Sequence, residues 1–260
     1  MKFLFEQSDT ENAKKCYQKN GFCALDRFFT EKDISEIKTA VSLVKQIEGV
    51  ELYLDRSGLM RRIENFTFKN TFLTELNKRI EKILYIITDQ KQNLFKDKVN
   101  FKPAGGEGFY PHYDGVFQFT SSTGIIKDGW YEYGSDFNNV LICLDNFTIE
   151  NGTLEVARAD QGDFKVLLKN TKGNGSPDLK DELINTRQFY PILANAGSLA
   201  IFKHSCPHRS SPNYSSRERG SLYLTYNNAN EGTFYKKYFD DKKNSLNKNK
   251  ALLGEQAKSL

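Results

Sequence analysis

A mainly β fold with flanking helices around a double-stranded β-helix core, a jelly roll of the cupin-like kind, is what the 260-residue sequence predicts, and three observations carry it. From about residue 98 the chain is a series of short β-rich runs broken by Gly, Asn, Asp and Pro, the texture of a sandwich or barrel. Clear amphipathic helices are confined to the first ninety or so residues. No regular alternation of strands and helices is evident, which argues against a dinucleotide-binding α/β sheet. The chain is read as one domain, 1–260, with a helical N-terminal part over about 8–90, the jelly-roll core over about 98–230 and a C-terminal tail over 231–260.

Taken in order, a short helix is expected around residues 9–19. The second helix, "TEKDISEIKTAVSLVKQIE", begins at Thr30, an N-cap candidate with Asp33 three residues on. Its Ile34, Ile37, Val41 and Val44 fall on one face at helical spacing. Strands are read at "VELYLD" and "LMRRIENF". The third helix, "TFLTELNKRIEKILYIITD", carries Leu73, Leu76, Ile80, Ile83, Leu84 and Ile87 at the same spacing. The core strands are then "KVNFKP", "GFYPHYD", "NVLICLDNF", "GTLEVAR", "GSLAIFK" and "GSLYLTYN". Between the fourth and fifth, "KNTKGNGSPDLKDELINTRQF" is polar and Gly-rich. Residues 162–190 are expected to form a long loop with a short helix, a lid or binding element.

Composition excludes several roles. Thirty-seven basic against thirty-three acidic residues leave a net charge of +4, spread along the chain with some concentration in "DKKNSLNKNK". No focused basic stripe marks a nucleic-acid surface, whereas an anionic small molecule suits the balance. No run of about 18 apolar residues marks a membrane span. The N-terminus lacks the apolar region of a signal peptide. Cys16, Cys23, Cys143 and Cys206 show no metal or disulfide spacing, so reduced thiols in a cytoplasmic protein are expected.

The chain has three histidines. His112 stands two residues before Asp114 in "YPHYDG", which on a strand puts both side chains on one face. His204 and His208 lie close together in "IFKHSCPHRSSPN". Either one completes a His–Asp–His set, the facial arrangement that leaves open positions on a non-haem iron. A zinc site for hydrolysis uses similar ligands. Eleven residues after His208 comes Arg219, opening "RGSLYLTYN", with Arg217 as its rival. A buried guanidinium there would fork onto the far carboxylate of 2-oxoglutarate; a surface ion pair with Glu218 is the alternative. Ser221 shares the face of Arg219 on a regular strand. Asn100 and Lys102 share a face of the strand leading to His112, within reach of 2-oxoglutarate or substrate. Arg62 and Asn65, in "MRRIENF", together with Tyr113 and the neighbouring Tyr110, are substrate or rim candidates.

These motifs in this order resemble the phytanoyl-CoA dioxygenase superfamily along nearly the whole chain: "KNGFCALDRFFTEKDI", "FKPAGGEGFYPHYD", "NFTIENGTLEV" and "GSLAIFKHSCPHRSSPN" with "YLTYN". Within it, "LMRRIENF", "PHRSSPNYSSRERGSLYLTYN" and "NEGTFYKKYFDDKK" are similar to bacterial organophosphonate hydroxylases. The resemblance implies iron(II) held by His112, Asp114 and His208, with His204 outside the ligand set. It implies 2-oxoglutarate and dioxygen as co-substrates, succinate and carbon dioxide as co-products, and hydroxylation at the carbon next to phosphorus. Related halogenases lack the carboxylate; Asp114 therefore implies hydroxylation. One departure, "ENGTLEVARADQGDF" where relatives read "ENGCLEVVPGSH", falls near the substrate rim. Hydroxylation of an amino acid, an alkaloid-like compound or an acyl thioester, and a non-catalytic binding role on the same fold, stay open.

Overall fold

Local chemistry starts each helix where the sequence places it. In the computed structural model, which describes residues 1–121 and 123–245, Thr30 caps the helix Glu31–Val44. Its hydroxyl accepts from the Asp33 amide at 3.1 Å, and the Asp33 carboxylate accepts from the Thr30 amide at 2.8 Å. This reciprocal capping box satisfies two amides that have no partner within the helix. The helices are α1 Thr10–Asn20, α2 Glu31–Val44, α3 Thr71–Thr88, α4 Phe164–Lys169 and α5 Asp181–Ile184. Residues 235–245 are also helical.

The strands run β1 Leu4–Glu6, β2 Phe22–Asp26, β3 Glu51–Leu54, β4 Met60–Glu64, β5 Gln92–Lys102, β6 Phe109–His112, β7 Phe119–Thr120 and β8 Ile126–Lys127. After them come β9 Phe137–Cys143, β10 Leu154–Val156, β11 Thr171–Gly173, β12 Ser176–Leu179, β13 Tyr190–Pro191, β14 Leu199–Lys203, β15 His208–Ser210 and β16 Arg219–Asn228. A major sheet orders them β1-β2-β14-β9-β16-β5-β4-β3, and a minor sheet β11-β12-β6-β15-β10-β13. Among the helices, α2 and α3 cover the outer face of the major sheet: Ile37, Val41, Leu76, Ile80 and Ile83 join Val99, Val140, Ile142, Leu222 and Leu224 in one buried cluster. The inner face meets the minor sheet through Leu141, Cys143, Leu154, Val156 and Phe202. Every residue of β9 is buried, as expected of a strand covered on both faces.

The expected jelly roll is thus present, with three differences from the sequence reading. Four of the eight strands of the major sheet precede residue 90, so the sheet is not confined to 98–230. One of them brings a βαβ unit, because β1 and β2 are parallel neighbours joined by α1. Residues 162–190 are not a loop with one helix. They form α4, the hairpin β11–β12, and α5, and the hairpin extends the minor sheet, pairing Asp178 with His112. Its turn is Asn174-Gly175, with φ of +54° and +81°, the signature of a tight two-residue hairpin.

Part of the presumed tail is built in. Tyr238 and Phe239 are buried with Phe95, Tyr133 and Phe137. The Tyr235 hydroxyl donates to Asp97 at 2.6 Å, and Lys242 pairs with Glu64. Residues 246–260, the end of the lysine-rich stretch, lie outside the described residues. Among the described residues no helix is long and apolar enough to cross a membrane, and the four cysteines are free and buried.

Candidate metal and co-substrate site

Cross-strand pairing assembles the metal ligands. β6 lies between β12 and β15, and His208 sits directly opposite His112, with ring centroids 4.3 Å apart. Asp114 follows at the bend beyond β6. Gly115 makes that bend: its φ is +73°, and a Cβ there would come within 2.6 Å of the Trp130 side chain. The ligand atoms of His112, Asp114 and His208 all lie within 4.8 Å of one another, and His208 Nε2 is 3.6 Å from an Asp114 oxygen.

Backbone carbonyls fix both imidazoles. His112 Nδ1 contacts the Tyr110 carbonyl at 2.7 Å, and His208 Nδ1 the Cys206 carbonyl at 3.1 Å. A carbonyl only accepts, so each Nδ1 carries the proton and each Nε2 is left with its lone pair, the arrangement that metal-ligating histidines use. Burial, with His112 close by, pushes His208 down to about 4, so it is neutral at physiological pH. Burial opposes ionisation of Asp114, but His208, Lys98, His112 and Lys96 outweigh it and bring the carboxyl to about 2. Two imidazoles presenting Nε2 and one carboxylate fit a divalent iron with open positions.

His204 stands apart. It is buried against Phe137 and Tyr131 with Nδ1 at the Phe137 carbonyl, 3.1 Å, and it faces Asp136. It lines a different, larger cavity of about 410 Å³ that contains none of the three clustered residues.

Two of the three clustered residues, His112 and His208, open on a cavity of about 160 Å³ between the sheets, lined also by Arg219, Ser221, Lys102, Asn100 and Arg62 among others. Arg219 opens β16 opposite Lys102 on β5. Its guanidinium lies over the Phe147 ring at 4.3 Å. Nε donates to the Asn151 carbonyl and Nη2 to that of Gly152, each at 3.2 Å. Nη1 is buried with no partner. An unpartnered buried donor on a cation is costly, and a carboxylate satisfies it with matching fork geometry. The residues therefore fit 2-oxoglutarate.

The Gly152 carbonyl also accepts from Lys102 Nζ at 3.3 Å, alongside Ser210 Oγ at 2.8 Å and the Ser211 carbonyl at 2.6 Å. The turn Ile149–Gly152 aims these carbonyls. Thr148 and Asn151 exchange hydrogen bonds across it, and Gly152 adopts φ +66°, where a Cβ would meet the Ser211 carbonyl oxygen at 2.2 Å. Arg217 is exposed and precedes the strand, so it does not share the face of Arg219.

Two substrate candidates are not brought to this cavity. Tyr113 is fully buried on the opposite side of the metal strand with Val116, Leu167 and Leu179, its hydroxyl on Asp160. His112 and Asp114 both turn toward His208, and the residue between them turns away. Asn65 has φ +63° and donates from its side chain to the Gly49 carbonyl at 2.8 Å, a turn contact remote from the ligands. Tyr110 lies exposed beside Asp181 and Lys172. In contrast, Arg62 and Asn100 are joined, Nε to Oδ1, at 3.0 Å. Lys98 and Tyr223 also line the cavity and were missed; the period-two run Lys96, Lys98, Asn100, Lys102 is the signal that would have found Lys98.

The phytanoyl-CoA dioxygenase (PhyH) model matches residues 17–221. The chain belongs to the phytanoyl-CoA dioxygenase family. It is a dioxygenase, and the His112, Asp114 and His208 cluster is a candidate for holding its iron. A 2-aminoethylphosphonate dioxygenase from an uncultured bacterium, HF130_AEPn_1, is 28% identical over 249 residues, covering 90% of this chain and 87% of the relative. A methylphosphonate hydroxylase from Gimesia maris is 31% identical over 165 residues, 64% of this chain and 56% of that one. Among solved structures, EctD from S. alaskensis with bound Fe superposes with a TM-score of 0.65 at 15% identity, over 86% of this chain and 79% of that one. The epimerase SnoN with Fe3+, alpha ketoglutarate and nogalamycin RO gives 0.62 at 14% identity, over 86% and 85%. At these identities the likeness to the solved structures is one of fold.

Proposed function

We propose that this family member hydroxylates a small organophosphonate at the carbon next to phosphorus, using iron(II), 2-oxoglutarate and dioxygen and releasing succinate and carbon dioxide. The observation that carries the reading is the buried, unpartnered Nη1 of Arg219 in the same cavity as His112 and His208 of the His112, Asp114 and His208 cluster. The substrate class rests on the two phosphonate-acting relatives and on the cationic lining of the cavity.

Iron held by the triad would supply the oxidising chemistry. The chain's own residues do the rest. The Nε2 lone pairs of His112 and His208 and the Asp114 carboxylate hold the metal on one side. Arg219 and Ser221 orient 2-oxoglutarate, with Lys102 and Asn100 beside them, and Arg62 faces the substrate. The two sheets exclude bulk water, which strengthens every charge contact inside. Four buried reduced thiols suit a cytoplasmic setting.

The test is turnover of purified protein with iron(II), 2-oxoglutarate and a panel of 2-aminoethylphosphonate, methylphosphonate and non-phosphonate metabolites. Succinate should rise with a phosphonate, and the product should gain one oxygen by mass. Coupled succinate with another metabolite and none with phosphonates would overturn the substrate assignment and leave the oxygenase.

A further inference from the structure

The inner face of β4, β5 and β16 is unusually cationic. Strand pairing places Arg62 and Glu64 beside Asn100 and Lys98, and these beside Ser221 and Tyr223. Lys96, Lys102 and Arg219 have the same strand parity. Five cations therefore line up with one carboxylate on these strands, and Asp114 lies across the cavity. Most of the five are already engaged. Lys102 has three oxygen acceptors. Arg219 has two carbonyls and the unpartnered nitrogen assigned above to 2-oxoglutarate. Lys96 lies over the Trp130 ring at 4.4 Å. Arg62 reaches Glu64 only at 3.4 Å, and Glu64 is shared with Lys242.

Lys98 is different. Among the described residues it makes no hydrogen bond and no ion pair; its ammonium lies over the Tyr223 ring at 4.8 Å, and it lines the cavity with His112 and His208. Two acids offset it, Asp114 and the neighbouring-strand Glu64; Glu64 is already shared by Arg62 and Lys242, and an Asp114 committed to a metal no longer offsets Lys98. A half-buried ammonium with only shared counter-charge calls for a further anion. Resting on the reading above, we propose that Lys98 and Arg62 form the seat for the substrate's anionic head group, with Lys98 setting the preference for a dianionic phosphonate over a carboxylate. The seat is separate from the co-substrate's cations: Lys98 is opposite Glu64 and Tyr223 on its two neighbouring strands, whereas Lys102 is opposite Arg219.

The experiment is anaerobic calorimetry on protein loaded with iron(II) and 2-oxoglutarate. The probes are 2-aminoethylphosphonate, methylphosphonate and β-alanine, the last carrying a carboxylate in place of the phosphonate. Lys98→Gln should bind both phosphonates about ten- to a hundredfold more weakly, the loss of one charge-assisted contact. Its 2-oxoglutarate affinity should stay within about twofold, which also shows that it has folded. Arg62→Gln should weaken phosphonates in the same sense. Lys98→Arg should restore most of the affinity; a loss as deep as in Lys98→Gln would show packing rather than charge and would overturn the seat. If the unaltered protein binds phosphonates and Lys98→Gln binds them equally well, the seat is wrong and the proposed substrate class stands. If β-alanine binds through Lys98 and phosphonates do not, the preference for a dianion falls together with the phosphonate assignment. Binding of none of the three overturns both.

Discussion

At the scale of single residues, identical side chains are separated by their surroundings. His204 and His208 lie four positions apart and are both buried, yet only His208 has its Nε2 beside a carboxylate and a second imidazole. His208→Ala should abolish stoichiometric iron, measured by metal analysis after anaerobic loading, while His204→Ala should retain more than half. Equal loss from both would place His204 among the ligands. Arg219 makes a second comparison. Arg219→Ala removes a charge-assisted bond worth about 1.5–3 kcal/mol, so the apparent 2-oxoglutarate KM should rise roughly ten- to a hundredfold with iron binding unchanged. Lys at 219 should recover part of this, because an ammonium cannot fork. A large effect in Arg217→Ala with none in Arg219→Ala would move the role upstream.

At the scale of elements, the turn Ile149–Gly152 does more than connect β9 to β10. One carbonyl, that of Gly152, accepts from both Lys102 and Arg219. Gly152→Ala introduces a Cβ at a positive φ and against the Ser211 carbonyl. It should cost about 1–3 kcal/mol of stability and raise the 2-oxoglutarate KM as well, read by thermal unfolding and steady-state kinetics. A variant with unaltered melting and KM would show that the turn only connects. The elements also show what was legible beforehand. The two-residue spacing that joins His112 to Asp114 was readable, although β6 ends at His112 and Asp114 lies at the bend beyond it; not asking where the residue between them must then point is how Tyr113 became a rim candidate. The hairpin β11–β12 was missed although Asn-Gly is a strong two-residue turn signal, because its strands are short, polar and only half-buried and lack the apolar alternation that marks a strand. The parallel pairing of β1 with β2 was hidden because three residues are too few for a period. Asn65 was misplaced by treating "MRRIENF" as one strand, whereas β4 ends at Glu64 and Asp97 captures the amides of Asn65, Phe66 and Thr67.

At the scale of the whole molecule, the cavity that suits a metal is destabilising to the metal-free protein in acid. His208 titrates at about 4 when folded, against 6.5 in the unfolded chain. The unfolded state therefore takes up this proton first, and stability falls as pH drops from about 6.5 to 4, by up to roughly 3 kcal/mol. Asp114, at about 2 when folded against 3.8, extends the loss from about 3.8 down to 2. Denaturant unfolding of chelator-treated protein should show the fall between pH 6.5 and 4, and His208→Gln should flatten it. A profile equally steep in both would assign the loss to other groups.

The order of strands carries a consequence in time. β16 is the last strand of the major sheet to be synthesised, after β14, yet it sits in the middle, between β9 and β5. Until residues 219–228 arrive, β3-β4-β5 has no hydrogen-bonded link to β9, and two strands keep open edges of the kind that attract other chains. Long-range closure of this sort is slow. The strand that closes the sheet is the one that begins with Arg219. With the role proposed for Arg219, co-substrate recognition would arrive with completion of the fold, and a half-finished chain would have no 2-oxoglutarate site to load. In refolding from denaturant, 2-oxoglutarate binding should return with the slowest folding phase and not before it.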